Sequence, residues 1–349
     1  MPLIPSEELL SFTTRVFAAC GAPHEQAAII ADHLVTANLL GFDSHGVVRI
    51  PMYLGWVREG TLQPGAPMEI KHDRGTTAIL DCGWNFGQVG GLRATELAIE
   101  KSQKHGIAVV ATNRCGHSGR LGTYTQLVAE RGHIGLAFCN SWKGGHFVPP
   151  WGGTKGRLAT NPLSYAVPCD GQDPIIADFS TAETAEGVLR IYRNQGKPLP
   201  PGWILDADGK PSQDPMDFYG PPQGAILPFG GEKGYRGFAL GLLVEVMAGV
   251  LTGNNRLAKQ DGNGLCLIVI NVSSFQSASD FGDLMTSTQE YIKSSPPRNG
   301  CEVLLPGEPD RRIQEKRRRE GIPIDENSWH SILDAAAQVG VVETPVASR

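Results

Sequence analysis

Apolar runs of two different periods alternate through the middle of the chain, and that alternation restricts the fold more than any other feature. The pattern predicts a helix over 88–105, a strand over 107–112, a helix over 120–131 and a strand over 134–140. Strands separated by helices place the chain in the α/β class. Short strands are expected at 68–71 and 76–81, a hairpin at 163–168 and 174–178 around Asp170-Gly171, and a further strand at 266–272. No G-x-G-x-x-G follows a strand, and Gly83-Trp84-Asn85-Phe86-Gly87-Gln88 has the wrong spacing. A Rossmann dinucleotide fold is therefore unsupported. G-x-x-x-x-G-K-[ST] and H-E-x-x-H are also absent.

Around this block the chain reads as helical. Helices are expected over 6–19 and 24–40, broken at Gly21-Ala22-Pro23, with Ser6 as N-cap and Glu7 and Glu8 in the first turn. Further helices are expected over 181–195, 237–251, 277–293 and 326–338, the last capped by Asp325. The 237–251 helix is apolar on every side and is expected to be buried. The basic segment 310–320 reads as a solvated helix face. Stretches 140–159 and 196–229 are rich in turns. With 41% hydrophobic and 19% charged residues, the 349-residue chain has the composition of a soluble globular protein. A net charge of −5 gives no electrostatic case for nucleic acid. No uninterrupted apolar run reaches about 18 residues, so no membrane span is expected. The N-terminus lacks the basic and apolar regions of a signal peptide. Seven cysteines without a C-x-x-C pair read as reduced thiols, and a cytoplasmic location is expected.

The densest chemistry lies at Asp43-Ser44-His45-Gly46, followed by Arg49 and Tyr53. A histidine near its ordinary pKa of about 6.5 moves protons at neutral pH. An arginine fork grips a carboxylate. Arg49 and Tyr53, at i and i+4, share a helix face that Pro51 is positioned to kink. The set suits oxidation of a hydroxy acid or reduction of an oxo acid. A second polar loop, Cys115-Gly116-His117-Ser118-Gly119-Arg120-Leu121-Gly122, joins a strand to a helix, whose first amides suit an anion. Thr160-Asn161-Pro162 comes next, then Asp178-Phe179-Ser180-Thr181, where Ser180 or Thr181 would cap a helix able to receive phosphate. Lys233, in Gly230-Gly231-Glu232-Lys233-Gly234-Tyr235, is a point charge suited to phosphate. Glu308, in the turn Leu304-Leu305-Pro306-Gly307-Glu308-Pro309, could meet a ribose hydroxyl.

These motifs, with Pro150-Trp151-Gly152-Gly153 among them, occur in an order that resembles the malate/L-lactate dehydrogenase family of the non-Rossmann type, over about residues 5–340. The family also includes ureidoglycolate, sulfolactate and diketogulonate oxidoreductases and a piperideine carboxylate reductase. The resemblance implies a nicotinamide-binding domain on a largely antiparallel sheet (111–274), a helical substrate and dimerisation domain (1–110 with 275–349), and a homodimer. It implies His45 as acid/base with Ser44 beside it, and His117 in a second proton-accepting position. Arg49 would hold the substrate carboxylate and Tyr53 would orient it. Gly119, Arg120, Leu121, Thr160, Asn161, Asp178, Phe179, Ser180, Thr181, Lys233, Gly234, Asn271, Gly307 and Glu308 would line NAD or NADP. Arg120-Leu121-Gly122 departs from the small residues usual there and is similar to a hydroxycarboxylate dehydrogenase branch. The spacing from Lys233 to Glu245 is longer than the family pattern. Trp142 to His146 is individual to this chain and is expected to shape the substrate pocket. A cyclic imine acid in place of the oxo acid is the alternative substrate. A metal-dependent hydrolase built on His45, His117 and Asp43 is the alternative chemistry.

Overall fold

The computed structural model describes residues 2–141, 144–253 and 261–345, so Trp142 and Lys143 of the expected pocket-shaping stretch lie outside the described residues. Strand β1 (Leu3–Ile4) leads into α1 (Ser6–Ala19) and α2 (His24–Leu39). Two short 3-10 turns, Asp43–His45 and Val47–Arg49, lead to α3 (Ile50–Arg58). Then come β2 (Glu69–Arg74), β3 (Thr77–Asp81), α4 (Gly87–His105), β4 (Ile107–Asn113), α5 (Gly122–Glu130) and β5 (His133–Ser141). A hairpin of β6 (Leu163–Val167) and β7 (Ile175–Phe179) follows. A small lobe contains α6 (Glu186–Gln195), β8 (Ile204–Leu205), β9 (Pro211–Ser212), α7 (Pro215–Tyr219) and β10 (Ala225–Ile226). Helix α8 (Tyr235–Glu245) runs on into a π-turn, Val246–Val250, before β11 (Asn263–Asn271). The chain then forms α9 (Ala278–Lys293), α10 (Glu308–Glu320), β12 (Ile322–Pro323) and α11 (Glu326–Gln338).

Seven strands form one sheet in the order β2-β3-β4-β11-β5-β6-β7. Every neighbouring pair is antiparallel except β3 with β4. The α/β class stands, and the largely antiparallel sheet is the one the resemblance implies. Alternation of strands and helices could not reveal this direction, because the partner of both β4 and β5 comes more than a hundred residues later. Strand β11 inserts between them, antiparallel to each. Its residues alternate between two cores. Leu265, Leu267 and Val269 pack under α4 and α5, while Cys266 joins Phe138, Val244 and Ala248 on the opposite face. Burial on both faces explains why the strand reads as a continuous apolar run. A separate core, including Phe12, Phe17, Leu34, Tyr53 and Ile332, ties α1, α2, α3 and α11 together, and Phe86 and Val89 carry it across to α4.

Several local expectations are corrected. Helix α1 is capped at Pro5, and Ser6 makes no capping hydrogen bond. Pro51 lies in the first turn of α3, where its missing N–H costs nothing, so it starts the helix rather than kinking it. Arg49 stands just before that helix. The helix expected from 120 begins at Gly122, and the one expected from 181 begins at Glu186. The 237–251 helix is buried on one side only. Gly237, Gly241, Val244 and Ala248 face inward, whereas Leu242, Leu243, Val246, Val250 and Leu251 are exposed.

Glycines decide how closely α4 approaches the second polar loop. A Cβ at Gly87 would lie 2.3 Å from the His117 carbonyl oxygen and 2.4 Å from that of Gly116. Backbone on backbone leaves no flexible group to yield. Gly87→Ala should therefore cost about 1–3 kcal/mol, read as a lower urea midpoint. An unchanged midpoint would show that this contact is loose.

Candidate active site

The first polar loop is shaped by the end of α2. Asn38 Nδ2 donates to Asp43 Oδ1 at 2.7 Å, and Asn38 Oδ1 accepts the Val47 N–H at 2.8 Å. Arg317 of α10 holds the same carboxylate through two nitrogens, at 2.6 and 2.9 Å. Asp43 is thus consumed by the scaffold, which takes it away from the metal set imagined for a hydrolase. Arg49 Nε donates to the Ser44 carbonyl at 2.6 Å, and its Nη1 reaches Met52 Sδ at 3.7 Å.

The second polar loop is pinned on three sides. The Ser118 N–H donates to Asn263 Oδ1 at 2.8 Å, Tyr124 OH donates to the Ser118 carbonyl at 2.5 Å, and the Arg120 N–H donates to His33 Nε2 at 2.9 Å. Gly119 sits above His33 with φ +71, a conformation that suits glycine.

The two loops meet. The His45 and His117 rings lie 5.7 Å apart, nearly parallel at 14°. Ser44 Oγ is 3.0 Å from His45 Nδ1. Tyr53 OH is 2.7 Å from His117 Nδ1, and Gln88 Nε2 donates to that phenol oxygen at 2.8 Å. With that amide donating to the phenol oxygen, a phenol proton directed to Nδ1 leaves His117 its own proton on Nε2. Burial, then the Arg49 and Arg120 cations, pushes His45 down to about 3. Burial, followed by Arg49 and His45, holds His117 well below the ordinary histidine value. Both imidazoles are therefore neutral at pH 7. Burial also raises the Tyr53 phenol to about 12, which keeps its proton in place as a donor.

A cleft of about 850 Å³ opens beside this cluster, its wall including Ser44, Arg49, Met52, Glu186, Arg190 and Ile191. Arg49 offers it a guanidinium whose Nη2 has no protein partner among the described residues. Burial works against that charge, and Glu186 is one of the groups that favour it. A broader groove of about 1110 Å³ lies elsewhere, against Asp173, Lys293, Glu308 and Arg311.

The residues expected to line a nicotinamide cofactor fall into two groups. Some are spent inside the protein. Asp178 accepts the Gly122 N–H at 2.6 Å, so the anion at the start of α5 is this carboxylate rather than a phosphate. Arg120 is 2% exposed, lies 4.8 Å from the Phe42 ring centroid, stays 3.9 Å from Asp178, and leaves Nε and Nη1 without hydrogen bonds. Leu121 is core. Asn161 donates to the Gly241 carbonyl and to Glu245. Thr181 bonds to the carbonyls of Thr160 and Asn161. Ser180 Oγ accepts the Ala182 N–H at 2.8 Å, closing a turn instead of capping a helix. The Gly230 and Gly231 amides are likewise taken by Glu183. Glu308 binds the Leu305 N–H and Lys293, and Gly307 with φ +91 begins α10. Asn271 caps the turn at Ser273, roughly 26 Å along β11 from the end that touches Ser118.

A second group faces outward. The Phe179 ring is exposed, Thr160 is half-buried, and Lys233 is exposed with no side-chain partner among the described residues. Gly234 lies against the Trp151 ring, which also meets Tyr235 edge-on. An open ammonium, an exposed aromatic ring and glycine-lined turns fit a dinucleotide carrying a pyrophosphate. Sequence reasoning missed His33, Asn38, Gln88 and Asn263. The first two carried a faint signal, as polar residues on a largely apolar helix. Gln88 and Asn263 carried none.

The family described as malate/L-lactate dehydrogenase matches residues 4–333. Hydroxycarboxylate dehydrogenase B of Escherichia coli O157:H7 is 35% identical over 97% of this chain and 94% of its own length. The structure of sulfolactate dehydrogenase from Methanocaldococcus jannaschii superposes with a TM-score of 0.86 at 31% identity, over 97% of each chain. That of Δ1-piperideine-2-carboxylate reductase from Pseudomonas syringae gives 0.81 at 27% identity, over 96% of this chain and all of the other.

Four histidines, His33, His45, His117 and His133, have lowered affinity for protons in the fold. In the unfolded chain they would titrate near 6.5. The unfolded state therefore binds more protons below that value, and stability falls as pH falls. Urea midpoints should drop between about pH 7.5 and about pH 5, and His45→Gln should flatten the slope. A flat profile in the parent protein would show these imidazoles to be well solvated.

Proposed function

We propose, from the premise that this chain belongs to the malate/L-lactate dehydrogenase family, that it interconverts a small 2-hydroxy acid and its 2-oxo acid with NAD or NADP. The observation that carries this reading is the meeting of two neutral imidazoles, a phenol and a guanidinium from two separate loops. A bound nicotinamide ring would supply C4 as hydride acceptor or donor. Arg49 holds the substrate carboxylate in the cleft through its free nitrogen. His117, with its proton on Nε2, donates a hydrogen bond to the substrate oxygen. His45 takes the hydroxyl proton during oxidation and returns it during reduction, with Ser44 setting its ring orientation. Tyr53 fixes the His117 tautomer. Thr160, Phe179, Lys233 and Gly234 line the cofactor side, Asp178, Ser180 and Thr181 hold that wall from within, and Gly119 to Leu121 shape the loop beneath it. Glu308, with Gly307 starting its turn, borders the groove at the β7 edge, within which a nucleoside end would rest.

The likeness to the piperideine carboxylate reductase supports a second substrate class, a cyclic imine acid, which needs the same arginine. We also propose a homodimer, supported by the uncovered Leu242, Leu243, Val246, Val250 and Leu251 face. Seven free cysteines suit a reducing, cytoplasmic setting.

A nicotinamide-absorbance screen of oxo acids, hydroxy acids and a piperideine carboxylate with both cofactors tests the activity. His45→Ala should lower kcat about a hundredfold or more, and Arg49→Ala should act mainly through KM. Full turnover by the His45→Ala, His117→Ala double variant would refute the assignment. In sedimentation the parent protein should run as a dimer and Leu243→Asp as a monomer. An unaltered assembly in that variant would place the interface elsewhere.

A further inference from the structure

We propose that His33 and Asn38, two buried polar side chains on α2, are positioning residues that hold the imidazole-bearing loops in mutual register. Each is only 3% exposed; His33 does not line the cleft, whereas Asn38 does. The Asn38 amide holds both Asp43 and the Val47 N–H, two neighbours in that same lining.

 His33 Nε2 accepts the Arg120 N–H at 2.9 Å, three residues beyond His117. Without it a buried amide would be left unpaired, which is costly.

The closeness of these contacts argues for registration rather than filling. A Cβ at Gly119 would lie 2.3 Å from His33 Nε2, and one at Gly46 would lie 2.1 Å from Asn38 Oδ1. Glycine at both places lets the backbone of each loop come down onto its α2 side chain. His33 and Asn38 are five residues apart on one helix, so the spacing of the two loops is set by a rigid element. The His33 ring is also 5.5 Å from that of Tyr124, whose hydroxyl holds the Ser118 carbonyl. Arg317 adds a bond to the Asn38 carbonyl and fixes that end of α2 against α10. Proton transfer is sensitive to placement, and a misplacement of about 1 Å can cost on the order of a hundredfold in rate.

The inference rests on the oxidoreductase reading above, and the experiment separates the two. Steady-state kinetics are measured on the parent protein, His33→Phe, His33→Gln and Asn38→Val, with thermal melts alongside. His33→Phe keeps a ring beside Tyr124 but removes the acceptor. It should lower kcat about tenfold or more while KM for the oxo acid stays within about twofold, because Arg49 is on the other loop. His33→Gln retains an acceptor and should recover kcat to within about threefold of the parent. Asn38→Val loosens the loop that carries both His45 and Arg49, so kcat should fall and KM rise together. Parent-like kcat in a folded His33→Phe, or a tenfold loss in a folded His33→Gln, overturns the positioning role even if the parent is active. If His33→Phe does not fold, the His33→Gln result alone decides. A parent protein inactive on every oxo, hydroxy and imine acid overturns the underlying reading instead, and the positioning role with it.

Discussion

The loop that carries His117 depends on β11 pairing with β4 and β5 at once. That one antiparallel insertion closes the sheet between two strands that run parallel to each other, and it buries apolar residues on both faces. It also delivers Asn263, at the start of β11, to the Ser118 amide next to His117. The loop after β4 is therefore anchored by a residue from much later in the chain. Helix α2 anchors the other loop from just before it, through Asn38. The site thus joins a contact local in sequence to others 87 and 145 residues apart.

Two turns that looked suited to phosphate turn out to satisfy themselves. Asp178 fills the amide-lined start of α5, and Glu183 fills the glycine turn before Lys233. The same physics underlies both outcomes, since exposed amides attract whichever anion is nearest. Here the nearest anion is a side chain already fixed by the chain's own packing. These carboxylates occupy the turns' amides and leave Lys233 as an exposed charge with no side-chain partner among the described residues.

Much of the scaffold was legible in the sequence. Periodicity located most helices and strands, because each buries one face or two. The resemblance supplied the sheet direction, which periodicity cannot encode. His45, His117, Arg49 and Tyr53 were legible because glycines bracket polar loops of rare composition, and the structure brings these four together. What could not be read were the residues that hold them. His33 and Asn38 look like ordinary polar positions on a helix, and Gln88 like an ordinary helix start. The partners of His33 and Gln88 are distant in sequence, and a hydrogen bond leaves no periodic trace. The exposed side of α8 was misjudged for a related reason: an all-apolar helix announces burial but not what buries it.

Gly46 and Gly119 have one more consequence. Any larger residue at either position would act as a wedge between a loop and the helix below it. The floor of the site is thus closed to gradual mutational drift. The α6 wall of the cleft belongs to a separate lobe with its own small core, and Arg190 and Ile191 there are largely free of such constraint. Residues along that wall can be exchanged, and the shape of the cleft with them, while the imidazole-bearing floor keeps its close packing.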